Sequence, residues 1–364
     1  MQKINSKEIQ KVFTLATKLK NPINLSIGQP DFDIPREIKQ AAINAIQNNF
    51  NQYTSTQGIL ELRQEIANKL KSQNSIEADY NTEILVTSAV SGGLFLTLQV
   101  LVNPQDEIII HDPYFVMYKH LINLCEGKPV FWDTYPDFRP KISKLKKLIT
   151  TKTKAIILNS PCNPTGIVFT KKEVKEIIKI AKENNLFIIS DEIYEDFVFD
   201  ISKNFSPGSI YKKTITLNGF SKSHAMTGWR IGYASGPKKT ITAMKELQQY
   251  IFVCASSFAQ KAAINVLKQK TNNFIIKQYQ QKRDFIYDKL KDYYNIQKPD
   301  GAFYIFPEAP DKNGIEFANK AIKNNLIIIP SSVFSEKKTH FRISFATSNQ
   351  TIERGIYILK KLAS

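Results

Sequence analysis

Gly219-Phe220-Ser221-Lys222-Ser223-His224-Ala225-Met226-Thr227-Gly228-Trp229-Arg230-Ile231-Gly232-Tyr233 sets a lysine and an arginine eight positions apart in a segment punctuated by glycine. A lysine becomes a nucleophilic amine only when burial or neighbouring cations suppress its charge. An arginine that anchors a phosphate supplies such a field and also a place for a phosphorylated cofactor. The chain carries 50 Lys and Arg among 364 residues, so one lysine means little without companions.

The companions appear on moving outward. Short β-branched apolar runs alternate with longer amphipathic segments through the middle two thirds of the chain. The runs predict strands over Glu83–Ser88, Glu107–Asp112, Pro129–Asp133, Lys154–Asn159, Leu186–Asp191, Thr214–Asn218 and Arg230–Ser235. Helical patterns lie between them over Gly93–Leu101, Tyr114–Leu124 and Lys171–Asn184, the last with Thr170 as N-cap. This alternation predicts a mostly parallel seven-stranded sheet sandwiched by helices. In such sheets ligands gather outside the carboxyl ends of the strands. Three strands end there beside polar residues: Ser160-Pro161-Cys162-Asn163-Pro164-Thr165-Gly166, Asp191-Glu192-Ile193-Tyr194, and Ser221-Lys222. Taken alone, Asp191 reads as a helix N-cap, Tyr194 as a packing aromatic and Asn163 as a turn residue.

Composition narrows the class. A chain that is 42% hydrophobic can bury a large core, and its length suits one large domain with a smaller one. Cys125, Cys162 and Cys254 form no Cys-x-x-Cys pair, which fits a reducing cytoplasm and argues against a zinc site. No apolar run reaches 18 residues, and the start lacks the apolar core of a secretory signal, so no membrane association is expected. The formal charge of +17 is spread as lysine over the surface. Even the densest stretch, Lys144 to Lys154, reads as a solvated helix followed by a strand, so no nucleic-acid partner is expected.

Asn159-x-Pro161-x-Asn163-Pro164-Thr165-Gly166, then Asp191-x-x-Tyr194, then Ser221-Lys222-x-x-x-Met226-x-Gly228-x-Arg230 resembles the pattern of class I and II pyridoxal-phosphate-dependent aminotransferases, the aspartate aminotransferase superfamily of fold type I. The likeness spans nearly the whole chain. It takes in Leu25-Ser26-Ile27-Gly28-Gln29-Pro30-Asp31-Phe32, Tyr53-Thr54-Ser55-Thr56-Gln57-Gly58 with Leu62-Arg63, Asp112-Pro113-Tyr114-Phe115, Gly301-Ala302-Phe303-Tyr304 and Arg342-Ile343-Ser344-Phe345-Ala346.

The resemblance implies pyridoxal 5′-phosphate as cofactor. Lys222 would hold its aldehyde as a Schiff base and then shuttle the substrate proton. Asp191 would keep the pyridine nitrogen protonated, and Asn163 and Tyr194 would donate to the phenolic oxygen. Arg230, Ser221, and Ser91 with the Gly92 backbone N–H would hold the phosphate, although relatives usually read Gly-Ala-Lys/Ser-Gln/Glu-Ala where this chain has Ala89-Val90-Ser91-Gly92-Gly93. Phe115 would stack on the ring, with Tyr114 as the alternative, and Tyr53 would reach the phosphate of the neighbouring subunit in a homodimer with shared active sites. Arg342 would fork the substrate α-carboxylate, assisted by Asn163 and the Gly28 backbone. His111 and His224 would be neighbours of the site, and neither has metal-ligand spacing.

The implied architecture has a large cofactor domain over 45–272 and a smaller, discontinuous α+β domain over 1–44 and 273–364, whose closure would exclude water. The amphipathic start, with Ile4, Ile9, Val12, Phe13 and Leu15, is expected to dock. The implied activity is transfer of the amino group of an L-amino acid to a 2-oxo acid by a ping-pong mechanism. The alternatives are a carbon–sulfur β-lyase on the same fold and a non-catalytic binder that keeps the fold.

Overall fold

The structure is a computed structural model that describes residues 19–200, 204–269 and 273–363; the amphipathic start lies outside the described residues. At its centre is a seven-stranded sheet of β2 (Ile84–Thr87), β3 (Glu107–Asp112), β4 (Lys128–Asp133), β5 (Thr153–Asn159), β6 (Phe187–Asp191), β7 (Thr214–Gly219) and β8 (Gly232–Ser235). The strands lie in the order β2-β8-β7-β6-β5-β3-β4, and β8 alone runs antiparallel to its neighbours. The expected mostly parallel sheet is therefore present.

The inner strands read as continuous apolar runs because both of their faces are covered. Ile109, Ile156, Leu158 and Ile188 face one core with Val174, Ile177 and Ile178 of the helix Lys171–Glu183. Their chain neighbours Ile108, Ile110, Ile157 and Ile189 face a second core with Leu94, Leu98 and Met244. Successive side chains point to opposite faces, so a one-residue slip would exchange the two cores and place every side chain against the wrong helices. The helix Lys171–Glu183 opens on a complete capping box. Thr170 Oγ1 accepts from the Glu173 N–H at 3.2 Å, and Glu173 Oε2 accepts from the Thr170 N–H at 2.7 Å.

Three boundaries depart from expectation. The helix expected from Gly93 begins at Ala89, because Gly92 and Gly93 serve packing rather than breaking: a Cβ on Gly93 would sit 3.3 Å from both Leu217 Cδ2 and Thr87 Oγ1. The helix expected from Tyr114 begins at Val116, with Phe115 extended at φ −72° and ψ 127° as its N-cap. β8 begins at Gly232 because Arg230 is left-handed, at φ +53°, and closes the 3₁₀ turn Thr227–Trp229.

The remaining strands are short. β1 (Ile23–Asn24) pairs parallel with β10 (Leu326–Ile327), while β11 (Ile329–Pro330), β12 (Phe341–Ser344) and β9 (Tyr304–Ile305) form an antiparallel sheet. Ile23 and Leu25 share a core with Ile286, Phe317, Phe341 and Ile356, so the early chain is fastened to its C-terminal third. Tyr194 and Phe197, from the loop after β6, enter the same core. Among the described residues no helix is long and apolar enough to cross a membrane.

Thr170→Ala removes the cap acceptor and should lower the unfolding free energy by about 1 kcal/mol in urea denaturation, with an unchanged m value.

Candidate active site

The parallel register brings the strand ends level. Asn159 pairs with Asp191 across β5 and β6, and Asp191 with Leu217 across β6 and β7, so β7 carries its chain two residues further toward Lys222. Asn159 locks two neighbours: its Nδ2 donates to the Asp191 carbonyl at 3.1 Å, and its Oδ1 accepts from the Asn163 N–H at 2.8 Å. Its own N–H donates to His111 Nε2 at 3.3 Å, and His111 Nδ1 then donates to the Pro113 carbonyl at 2.7 Å. Burial lowers His111 to a pKa of about 4, so this ring is a neutral spacer in its Nδ1–H tautomer.

These ends open into a cavity of about 540 Å³. Of the residues singled out in the sequence, Gly28, Ser91, Phe115, Asn163, Asp191, Tyr194, Ser221, Lys222, Arg230 and Arg342 stand on its wall, whereas Gly92, Tyr53, Tyr114, His111 and His224 do not. Lys222 Nζ donates to the Gly28 carbonyl at 2.6 Å and lies 5.8 Å from the centre of the Tyr194 ring. Burial lowers the Lys222 pKa to about 8, the Arg342 and Arg230 cations add to that, and Asp191 opposes it. Asp191 is 4% exposed, and burial raises its pKa against the Tyr118 O–H, which donates to Oδ2 at 2.6 Å, and the Ile193 N–H, which donates to Oδ1 at 3.3 Å.

Arg342 is buried between two rings, its guanidinium 4.5 Å from the centres of both Tyr304 and Phe334. Its Nη1 donates to Asn163 Oδ1 at 2.9 Å and its Nη2 to the Ser26 carbonyl at 2.7 Å, while Nε is buried without a partner. Arg230 is exposed and donates to the Thr227 carbonyl at 2.8 Å and to Ser91 Oγ at 3.2 Å. The left-handed turn at Arg230 is thus the local device that aims its guanidinium at the helix start.

Two expectations need correction or qualification. Gly92 is not available as a backbone donor: with the helix starting at Ala89, its N–H is spent on the Ser88 carbonyl at 3.2 Å, and the earlier first-turn residues Val90 and Ser91 face the cavity instead. Tyr53 is 83% exposed and off the wall of this chain's cavity. Between the two candidates for a stacking ring, Phe115 is on the wall, whereas Tyr114 is buried elsewhere with its O–H on Glu336 Oε1 at 2.7 Å.

Sequence reasoning gave no role to Tyr118, Tyr304 or Asn159, although Tyr304 and Asn159 stood within quoted motifs. Tyr118 follows Phe115 by three residues, and the two rings meet edge to face at 5.7 Å, so helical spacing was the available signal. Asn159 carried the weaker signal of an amide closing an apolar strand.

A second polar cluster lies behind the Asp191–Tyr194 loop. Glu195 pairs with Lys69 and accepts from Asn218 Nδ2 at 2.6 Å and Asn74 Nδ2 at 2.6 Å. Glu192 accepts from Ser190 and Ser206, each at 2.7 Å, and burial with the Glu195 charge raises its pKa to about 7. Because Asn218 closes β7 and Glu195 adjoins Tyr194, this cluster braces the strand that carries Lys222 against the loop that carries Asp191.

The chain matches the family model described as aminotransferase class I and II over residues 20–359. It belongs to that family. The aminotransferase is 40% identical over 369 residues to the probable aspartate aminotransferase of Methanocaldococcus jannaschii, covering 99% of this chain and 97% of that one. It is 37% identical to aromatic-amino-acid aminotransferase 2 of Thermococcus litoralis, covering 100% and 97%. Among solved structures, the aromatic aminotransferase of Pyrococcus horikoshii OT3 superimposes with a TM-score of 0.92 at 37% identity, covering 96% of this chain and 98% of that one.

Two outcomes follow for this aminotransferase. Acylation of Lys222 in the cofactor-free protein, followed by mass spectrometry, should rise with pH to a midpoint near 8, and Arg342→Met should move that midpoint upward because a neighbouring cation is gone. Lys69→Met leaves Glu195 buried without its partner and should cost about 3–5 kcal/mol at neutral pH. Thermal unfolding of the variant beside the unaltered protein would show the deficit.

Proposed function

We propose that this aminotransferase uses pyridoxal 5′-phosphate to move the amino group of an L-amino acid to a 2-oxo acid in two half-reactions, with Lys222 as its central amine. The observation that carries the reading is the 2.6 Å contact between Lys222 Nζ and the Gly28 carbonyl, in a cavity whose wall also holds Asp191, Arg230 and Arg342.

The donor set suits that cofactor. Lys222 is an amine of lowered pKa, Asp191 a buried carboxylate, and Arg230 with Ser91 and Ser221 a cation flanked by hydroxyl groups. The cavity is of a size that small cofactors fill. When bound, the cofactor supplies an aldehyde that carries the amino group and a ring that accepts the electrons left when the α-proton departs.

The chain's own residues do the rest. Lys222 would hold the aldehyde carbon and, once released, take the α-proton on Nζ and return it. Asp191 would sit against the ring nitrogen as a carboxylate, a state the Tyr118 O–H favours. Asn163 spends its Oδ1 on Arg342, which leaves its amide N–H groups for the phenolic oxygen, a role shared with Tyr194. Arg230, Ser91 and Ser221 would bind the phosphate, with N–H groups of the helix start in place of Gly92, and Phe115 would face the ring. Arg342 would take the α-carboxylate, and its unpartnered Nε marks spare donor capacity.

Tyr53 would complete the site of a second copy in a homodimer, a role that suits its exposure. Gly28 and Arg342 come from segments 1–44 and 273–364, while Lys222 and Asp191 come from 45–272. We read these as two domains that close on the substrate.

The protein loaded with pyridoxal 5′-phosphate and mixed with an amino acid alone should release one equivalent of 2-oxo acid per site and stop, and a second 2-oxo acid should restart turnover. Borohydride reduction followed by peptide mass spectrometry should place the cofactor on Lys222. A cofactor adduct elsewhere, or no 2-oxo product from any amino acid, would overturn the proposal. Continuous release of pyruvate and ammonia without an acceptor would select β-elimination instead.

A further inference from the structure

Tyr304 belongs to none of the roles above, yet it touches three of the residues that have them. It is 1% exposed and stands on the cavity wall. Its ring lies 4.5 Å from the Arg342 guanidinium. Its hydroxyl lies 2.8 Å from the Tyr194 hydroxyl, and that same oxygen would be 2.5 Å from a Cβ on Gly28. The hydroxyl therefore occupies the space that the missing Gly28 side chain leaves.

A pair of phenols joined by one hydrogen bond spends one of its two protons on that bond and has the other to offer elsewhere. If Tyr194 donates to Tyr304, Tyr194 has no proton left for the cavity. If Tyr304 donates to Tyr194, the Tyr194 O–H is free to point inward, and accepting a bond polarises it into a stronger donor. Burial raises both phenol pKa values, so both stay protonated and the pair stays in this regime. The charged groups facing the pair are Arg342, which touches the Tyr304 ring, Asp191, and Lys222 over the Tyr194 ring.

We propose that Tyr304 is a positioning residue whose O–H donates to Tyr194 and thereby commits the Tyr194 proton to the phenolic oxygen of the bound cofactor. The inference rests on the cofactor reading above. It adds a reason for glycine at position 28: a methyl group there would evict the Tyr304 hydroxyl from its post.

Tyr304→Phe removes only the hydroxyl and keeps the ring that packs on Arg342. The measurement is the pH at which the visible absorbance of the bound cofactor changes, read without substrate. In Tyr304→Phe this midpoint should rise by about 0.3–1 pH unit, since a weaker Tyr194 donor stabilises the deprotonated state less. In a Tyr194→Phe background the same substitution should shift nothing further, because its effect is routed through Tyr194. Gly28→Ala should reproduce the upward shift by displacing the hydroxyl, which keeps the test open if Tyr304→Phe folds poorly. An unchanged midpoint in the variants overturns the inference, as does a downward shift, the sign expected if Tyr194 is the donor within the pair. A shift that persists in the Tyr194→Phe background overturns it as well. Failure to bind pyridoxal 5′-phosphate at Lys222 would instead remove the cofactor reading itself, so the two failures are told apart.

Discussion

A lysine ammonium beside two guanidinium groups and shielded from water is an unfavourable charge, and the Lys222 site depends on that constraint. Burial depresses its pKa first, and Arg342 and Arg230 push in the same direction. Asp191 alone pulls back. With a pKa lowered to about 8, roughly a tenth of the amine is neutral at pH 7, far more than for an ordinary lysine, and neutral is the state a nucleophile requires. Arg230 and Arg342 thus each act on the lysine through space, beside the anion that each would hold in the proposed reading.

Such a balance tolerates little movement, and the surroundings are built accordingly. Coulomb energy falls with distance, so a loop that drifted by an ångström or two would retune every group. The Lys69–Glu195 pair with Asn74 and Asn218 crosses from the helix Leu60–Lys69 to the ends of β6 and β7. On the opposite side Asn159 and His111 fix the end of β5 by backbone contacts. Buried ionic groups contribute little net stability compared with apolar packing, but they are directional. Here they bind the loops whose relative placement decides the charge on Lys222.

The sequence carried the sheet clearly and the hydroxyl chemistry poorly, for one reason. Ile108-Ile109-Ile110 and Ile156-Ile157-Leu158 fill both faces of a covered sheet, a local pattern, and β3 and β5 fall within a residue of expectation. The helix start at Ala89 was hidden because two consecutive glycines are poor helix formers, and only the packing of Leu217 against Gly93 shows why they stand inside it. The convergence of Lys222, Asp191, Tyr194, Asn163, Arg230 and Arg342 on one cavity was legible because they stand in motifs that follow the resembled family's order along the chain. Tyr118 and Tyr304 were not, since a phenol counts as a core aromatic until its partner is known, and their partners lie 73 and 110 residues away.

The contact between Lys222 and the Gly28 carbonyl shows how the site can be both ordered and ready to change. A charged donor on a carbonyl is worth roughly 1.5–3 kcal/mol when the lysine is protonated and less when it is neutral. That is enough to hold the side chain in one rotamer, yet small beside the covalent chemistry a lysine can undertake. β1 pairs with β10, and two residues before Gly28 the Ser26 carbonyl accepts from Arg342 Nη2, so the segment that carries the Gly28 carbonyl is tied directly to the β12 residue Arg342. Any displacement of this unit would move the carbonyl away from Lys222 and the guanidinium away from Asn163 together. In the proposed reading, release of the amine and freeing of the Arg342 guanidinium would therefore go together.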